Sequence, residues 1–353
     1  MPISALRSRL LAAFLLCLSS GCQERARATK APRPRRAPPL QLTRSRMLTL
    51  PVPEMAGGTA YVSAASGLVR VGDWLHVVAD DSLSLASFPL QGEGPGHWVR
   101  LFPGELPRDP ADRKAVKPDL EALCLVEGLA SAPQGALLAV PSGSAPARMR
   151  GALIPLQADG RLGGTVREVD FSGLYARLAR ELGPVNVEGA VWTGGHLWLL
   201  NRGNSDEGSD AVVMIAGEGF ARALEAGVAP GPELVRDVKR WKLGRTRSVR
   251  LSFSDAAPLP DGRVVFTAAA EDTHGPYADG AVVGSAVGML ARDGTPLWLE
   301  HVEGKVKLEG VTARVEQGRL HLWLVSDADD SSVVAPLFEL SLDDPPPSSS
   351  PGR

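Results

Sequence analysis

Four carboxylic acids begin segments that lie far apart in the sequence but share one pattern. Each segment starts with an acid, continues with Gly or Ala and then enters an apolar stretch; the acids are Glu121, Glu188, Asp255 and Glu309. Carboxylates that converge raise one another's pKa unless a cation neutralises them. Ca²⁺ prefers a ligand set made only of oxygens. The four acids are therefore the predicted metal ligands, and Ca²⁺ is the predicted ion.

Polar residues also follow the second apolar stretch of these segments, and we expect them on the same face as the acids. The candidate ligand-binding residues are Asn201, Arg202, Asn204, Glu271 and Asp272. Arg202 is suited either to pairing with one of the four acids or to holding an anionic group of a ligand by two parallel hydrogen bonds. His274, in the loop after Asp272, is the candidate general base for catalysis.

A simpler interpretation of the four acids stays open. An acid at the start of an inner strand can accept backbone N–H bonds from a neighbouring unit and have no ligand at all. The sequence contains no G-x-S-x-G, P-loop or H-E-x-x-H motif, so it offers no known catalytic signature. Zinc is excluded because Cys and His are not clustered at ligand spacing.

The spacing of the segments indicates a repeat. Equivalent positions at Ser66, Glu121, Glu188, Asp255 and Glu309 are 55, 67, 67 and 54 residues apart. Each segment contains a hairpin and a third strand, and each of the first four segments adds a fourth strand. The fifth segment lacks its own fourth strand, and residues 45–50 can supply it. Such closure removes exposed sheet edges. We expect an all-β fold, a five-bladed β-propeller of four-stranded blades, with helical inserts at 171–182 and 219–226. A two-sheet sandwich is the alternative.

The N-terminus has the order of a targeting segment. Arg7 and Arg9 precede the apolar residues 10–18, and small residues then lead to Cys22. This order is typical of a secretory signal peptide. The small residues before Cys22 resemble the bacterial lipobox, with Ser19 where that pattern has Leu. We predict a lipoprotein signal peptide at 1–21, lipidated Cys22 with a basic Pro-rich tether at 22–43, the propeller at 44–342 and a disordered tail at 343–353. A plain secretory signal is the alternative.

Charge is distributed unevenly along the chain. Residues 1–46 contain ten of the 38 Lys and Arg residues but one of the 40 acids. The remainder is therefore acidic, which argues against binding to nucleic acid. We expect a monomer at the membrane of the bacterial cell envelope, on the outer membrane or its periplasmic face.

Two resemblances follow from the motifs. The segment from Asn186 to Trp192 and the stretch from Gly195 to Asn201 resemble the Glu-Gly-x-x-Trp opening of gluconolactonase-type propellers. That resemblance implies metal binding by Glu188, with Asn201 as a weaker candidate. The wider set of segments around Glu121, Glu188 and Glu309 resembles an uncharacterised bacterial propeller family, distantly akin to phytase-like, esterase-like propellers. Those relatives usually have six blades, whereas five are counted here.

The sequence thus leads to two functional hypotheses. The first is a lipid-anchored envelope propeller that binds a divalent cation and a small ligand in its channel. That ligand would be phosphorylated, an ester or a lactone, and hydrolysis is the activity such a site would support. The second is a non-enzymatic scaffold for a partner protein, in which the acids only hold the blades together.

Overall fold

The computed structural model describes residues 29–30, 38–92, 94–203, 209–273 and 280–344. Two strands precede the blades, β1 (Thr29–Lys30) and β2 (Thr43–Met47). Blade 1 contains β3 (Ala65–Val71), β4 (Trp74–Ala79), β5 (Ser84–Pro89) and β6 (His97–Arg100); blade 2 contains β7 (Leu120–Val126), β8 (Ala136–Pro141), β9 (Arg150–Pro155) and β10 (Arg167–Asp170). Blade 3 contains β11 (Val187–Thr193), β12 (His196–Asn201), β13 (Asp210–Ala216) and β14 (Val235–Lys242), and a hairpin of β15 (Arg245–Thr246) and β16 (Val249–Arg250) follows it. Blade 4 contains β17 (Ser252–Pro258), β18 (Val264–Asp272), β19 (Ala281–Leu290) and β20 (Pro296–His301); blade 5 contains β21 (Leu308–Glu316), β22 (Arg319–Ser326) and β23 (Pro336–Asp343).

The five blades close into a ring. The first strands contact one another in the order β3, β7, β11, β17, β21 and back to β3. The missing outer strand of blade 5 is β2, which pairs antiparallel with β23 and places Thr43 opposite Glu339. The prediction of a five-bladed propeller closed by an N-terminal strand is confirmed. The closing strand ends earlier than expected, at Met47, because Leu48 and Leu50 turn into the core next to blade 1.

In the part of the chain that the structure describes, three α-helices lie outside the blades: α1 (Pro110–Val116), α2 (Ser172–Leu182) and α3 (Gly217–Ala226). A 3₁₀ turn, η1, covers Pro232–Leu234. The inserts predicted from sequence correspond to α2 and α3, whose apolar residues recur at helical spacing and are buried. Helix α1 was not predicted; it buries none of its residues and begins at an Asp109 cap followed by Pro110. No helix of the described residues has the length and apolar character needed to cross a membrane.

Every inner strand carries a β-bulge near its start. The pairing with the second strand skips one residue in each blade; the skipped residues are Ser66, Glu121, Glu188, Ser254 and Glu309. A bulge locally redirects a side chain, and the skipped residues of blades 1, 2, 3 and 5 line one cavity at the axis. In blade 4 the skipped residue is Ser254. The sequence repeat had predicted Asp255 at this position, but Asp255 is the next residue along the strand.

At the position after the bulge, the inner strands of blades 1 and 5 lie very close to a neighbouring inner strand. Gly67 and Gly310 occupy it in blades 1 and 5, and a Cβ on Gly67 would lie 2.7 Å from the backbone nitrogen of Leu123. A Cβ on Gly310 would lie 3.0 Å from the carbonyl oxygen of Ser66. Glycine is needed there because the neighbouring backbone leaves no room for a side chain.

Candidate functional site

A cavity of about 560 Å³, here called the axial cavity, lies at the end of the propeller where the inner strands begin and the second strands end. Its described lining is mostly charged and includes no aromatic side chain. The cavity suits a small, highly polar ligand.

One side of the axial cavity is a buried ion network, here called the Arg202 cluster, formed by Glu188, Arg202, Glu271, Lys307, Glu309, Asp327 and Asp329. Arg202 Nη1 lies 3.3 Å from Glu188 Oε1 and Nη2 lies 3.0 Å from Glu271 Oε2. Lys307 Nζ lies 3.0 Å from Glu271 Oε1, 3.1 Å from Glu309 Oε1 and 2.7 Å from Asp329 Oδ1. The network joins blades 3, 4 and 5.

The Arg202 cluster contains more acids than cations, and protons make up part of the difference. Burial raises the pKa of Glu188 to about 8, against the opposing effect of Arg202. Burial also raises the pKa of Asp327 to about 8, against the effect of Lys307. At Glu271 the two cations outweigh burial and lower the pKa of the carboxyl. At neutral pH, Glu188 and Asp327 are therefore largely protonated, and Glu271 is ionised.

The opposite side of the cavity is the Lys117 cluster, formed by Asp80, Lys117, Asp119, Glu121 and Arg148. Carboxylate oxygens of its three acids all lie within 4.8 Å of one another. Lys117 Nζ contacts Asp80 and lies 2.8 Å from Asp119 Oδ1, and Arg148 Nη1 donates to Asp119 Oδ2 at 2.8 Å. Glu121 forms no hydrogen bond or ion pair with the described residues. Burial, together with Glu188 and Asp119, raises the pKa of Glu121.

The structure brings three of the four predicted metal ligands, Glu121, Glu188 and Glu309, to the axial cavity. The predicted ligand-binding residues Arg202 and Glu271 also line it. Arg202 is already surrounded by carboxylates, and it does not present a free guanidinium to an anion. Metal binding and ligand binding by these residues stay predictions.

The remaining predicted residues lie elsewhere. Asn201 is fully buried behind the wall, where its Oδ1 accepts from the backbone N–H of Asn186 at 2.8 Å. Asp272 is exposed at the end of β18 and is outside the cavity lining. His274, Asn204 and Cys22 lie outside the described residues.

Asp255 lies outside the lining of the axial cavity and is fully buried. Its Oδ2 accepts the backbone N–H of Val311 at 2.7 Å, which links the inner strands of blades 4 and 5. This contact is the inter-blade hydrogen bond that the simpler interpretation of the acids described, and it gives Asp255 a structural part in the ring.

We expect Asp255→Ala to lower the free energy of unfolding by about 1–3 kcal/mol, because the buried Val311 amide loses its acceptor. Asp255→Asn retains an acceptor oxygen and should cost less. Urea unfolding measures both, with Glu168→Ala, at an exposed surface pair, as the control expected to change stability by less than about 0.5 kcal/mol. Equal stability of the Asp255→Ala protein and the wild type would contradict this structural part.

Pairing of Arg202 with the acids was predicted from the sequence, whereas the contacts of Lys117 and Lys307 with the acids were not: these two cations were missed. Lys307 and Asp119 each stand two residues before a bulged glutamate, as Asn186 does, and Lys117 stands four before Glu121. Asn186 Nδ2 donates to Glu188 Oε1 at 2.5 Å. The recurrence of a polar residue two positions before each bulged acid was a signal in the sequence that could have identified these residues.

Comparisons with solved structures return other chains of low sequence identity. A putative glycoside hydrolase from Parabacteroides distasonis is 10% identical with a TM-score of 0.45, over 87% of this chain and 97% of that one. A mannose phosphorylase from Leishmania mexicana, in complex with phosphate ion, is 13% identical with a TM-score of 0.40, over 86% and 88%. A luciferin-regenerating enzyme is 10% identical with a TM-score of 0.37, over 79% and 92%. Likenesses this distant do not indicate what the chain binds.

Comparison with curated protein sequences gives no significant match. Residues 61–342, which extend from just before blade 1 to the end of blade 5, match the profile described as "Family of unknown function (DUF6929)". The expected membership of an uncharacterised propeller family is confirmed, while lipidation stays a prediction. The chain belongs to the family of unknown function DUF6929.

Proposed function

We propose that the axial cavity binds a divalent cation, Ca²⁺ in the first instance, at Asp80, Asp119 and Glu121, together with a small polar ligand. The observation that carries this proposal is the grouping of three carboxylates with oxygens within 4.8 Å at an open cavity. Ca²⁺ takes six to eight oxygen ligands, so water or the bound ligand would complete its shell. Glu188 and Glu309 are weaker candidates, because Arg202 and Lys307 already contact them.

The fit of the cation depends on Lys117. The donor atoms are the hard oxygens that Ca²⁺ requires, but the Lys117 ammonium contacts two of the three acids. The ion and this ammonium group are therefore alternative partners of Asp80 and Asp119. Because the pKa of Glu121 is raised, ion binding also competes with a proton and should strengthen as the pH increases.

The reaction class that this arrangement supports is hydrolysis of a phosphoester, ester or lactone. A bound divalent ion would polarise the phosphoryl or carbonyl oxygen of the ligand. Glu188, whose pKa is about 8, retains a proton at neutral pH and is our assigned proton donor on the cavity wall. Asn186 and Arg202 hold its Oε1 in position.

We expect Ca²⁺ to stabilise the wild-type protein and not the Glu121→Gln variant. A ligand at a hundred times its Kd adds about 2.7 kcal/mol to the stability of the state that it binds, which raises the Tm by several degrees. Thermal unfolding and calorimetry with Ca²⁺ at pH 6 and pH 8 measure the effect. Glu168→Gln, at an exposed position, is the control and should respond as the wild type does.

Lys117→Met gives the experiment a second arm, because it removes the competing ammonium group. The variant should be less stable without Ca²⁺ and should gain more stability from it than the wild type gains. If Ca²⁺ changes the Tm of neither protein, or stabilises Glu121→Gln as strongly as the wild type, the cation proposal is wrong. Hydrolysis is tested separately, with nitrophenyl esters, nitrophenyl phosphate and a simple lactone, on the wild type and Glu188→Gln.

The Arg202 cluster favours a second candidate, a non-enzymatic scaffold whose buried charges hold the blades together. Its cations contact acids of blades 3, 4 and 5. Under this alternative, Ca²⁺ has no effect, no substrate is turned over, and removing Arg202 destabilises the fold.

For location, we propose a lipid-anchored protein of the bacterial envelope. The support is the sequence order of basic residues, an apolar run and small residues before Cys22. Labelling with a fatty-acid analogue in the producing cell, with Cys22→Ser as control, tests this proposal directly.

A further inference from the structure

A basic surface lies on the outer edge of blade 3. None of its residues lines the axial cavity. Within residues 235–250 there are seven basic residues and one acid, Asp237. The seven form what we call the blade 3 edge patch: Arg236, Lys239, Arg240 and Lys242 on β14, and Arg245, Arg247 and Arg250 in the β15–β16 hairpin. The patch contrasts with the acidic composition of the chain after residue 46.

Part of the patch carries charge that no acid among the described residues neutralises. Lys239 lies 3.6 Å from Asp293 and Arg250 lies 3.2 Å from Asp210. The other exposed members, Arg236, Lys242, Arg245 and Arg247, form no ion pair with a carboxylate of the described residues. Four exposed cations on one edge create a positive potential that a dispersed anionic surface can satisfy.

A second observation connects this edge with the N-terminal segment. The short strand β1 pairs in parallel with β14, with Thr29 opposite Trp241 and Lys30 opposite Lys242. Six residues separate Cys22, the predicted lipidation site, from Thr29, and that length of chain spans at most about 25 Å. The chain therefore joins the propeller, after its apolar N-terminal run, at the edge that carries the patch.

We propose that the blade 3 edge patch binds an anionic phospholipid surface and so orients the propeller at the membrane. An anionic bilayer attracts each nearby basic residue by about 1 kcal/mol, and the attraction decreases within a Debye length. Four exposed cations therefore increase the partitioning of the protein from water onto an anionic bilayer by orders of magnitude at low salt. The acidic remainder of the chain would be repelled by the same surface, which favours one orientation over others.

Sedimentation with vesicles tests the proposal on the full chain in unacylated form. The vesicles contain either phosphatidylcholine alone or phosphatidylcholine with about a third phosphatidylglycerol. Arg236→Gln, Lys242→Gln, Arg245→Gln and Arg247→Gln are combined in the patch variant. The control variant combines Arg150→Gln, Arg177→Gln, Arg222→Gln and Arg319→Gln, which removes the same charge from exposed positions elsewhere.

We expect the patch variant to lose at least tenfold in partitioning to the anionic vesicles, and the control variant to stay within twofold of the wild type. The difference should vanish at high salt and should be absent on neutral vesicles. Equal losses in the two variants, or no loss in either, would overturn the proposal. Patch-dependent binding to a short DNA duplex that exceeds binding to anionic vesicles would also overturn it, in favour of a nucleic-acid surface. A circular-dichroism melt of each variant checks that the fold is retained.

Discussion

Replacing Arg202 with Met is expected to lower the free energy of unfolding by about 3–5 kcal/mol. The guanidinium is buried and approaches Glu188, Glu271 and Glu309. Removing one partner of a buried ion pair leaves uncompensated charge in a medium that solvates it poorly. Urea unfolding at pH 7 measures the loss.

A second substitution separates lost charge balance from lost packing. Glu271 is the carboxylate that interacts most strongly with Arg202. Adding Glu271→Gln to the Arg202→Met variant removes the charge that this variant leaves without its guanidinium partner, so the double variant should regain part of the lost stability. Arg222→Met, at an exposed pair with Glu218, is the matched control and should cost under about 1 kcal/mol. If Arg202→Met is as mild as this control, the Arg202 cluster does not hold blades 3, 4 and 5 together.

Acidification is expected to destabilise the protein through His76. This residue of β4 is fully buried, with Nε2 3.0 Å from the Gly160 carbonyl and Nδ1 2.8 Å from Ser87 Oγ. The carbonyl can only accept, so Nε2 carries the hydrogen and Nδ1 accepts from the serine hydroxyl. Burial lowers the pKa of His76 to about 4.

The lowered pKa sets the direction of the effect. The unfolded chain binds the proton near pH 6.5 and the native protein only near pH 4, so the stability that neutral His76 provides is complete above about pH 6.5. It is lost as the pH falls from there to 4, and the full difference is about 3 kcal/mol.

Unfolding of wild type and His76→Gln across pH 4 to 8 measures this contribution as a difference between the two curves. Other groups titrate in the same range, and they cancel in that difference. The stability advantage of the wild type should shrink by about 3 kcal/mol between pH 7 and pH 4. His321→Gln, at a half-buried position on β22, is the comparison variant for the loss of an imidazole. A constant difference for His76→Gln would contradict the prediction.

The architecture could be predicted from the sequence because its signals are periodic and local. Repeated strands, hairpin turns and a strand before blade 1 that can complete blade 5 together indicate five blades and a closing N-terminal strand. The convergence of Glu121, Glu188 and Glu309 follows from that rotation, since equivalent positions of a propeller meet at the axis. The short helix α1 has no apolar face, so no periodic pattern indicated it.

The charge balance of the site could not be predicted in the same way. A β-bulge moves the register of an inner strand by one residue, and in blade 4 it puts Ser254 where the other blades have Glu121, Glu188 and Glu309. Asp255 was therefore aligned one position too early. Which cation contacts which acid depends on side chains from several blades, as with Lys307 beside Glu271 of blade 4. The spacing of residues along the chain does not indicate which cation contacts which acid.

The closing strand has a consequence for how the chain reaches this state. Ser45 donates to the carbonyl oxygen of Leu337, and 292 residues of sequence separate the two. Strand β2 is synthesised early, and it has no partner until almost the whole polypeptide has followed. Pairing across such a separation is slow because it is entropically costly. Completion of the circle is thus a late event in the folding of the chain.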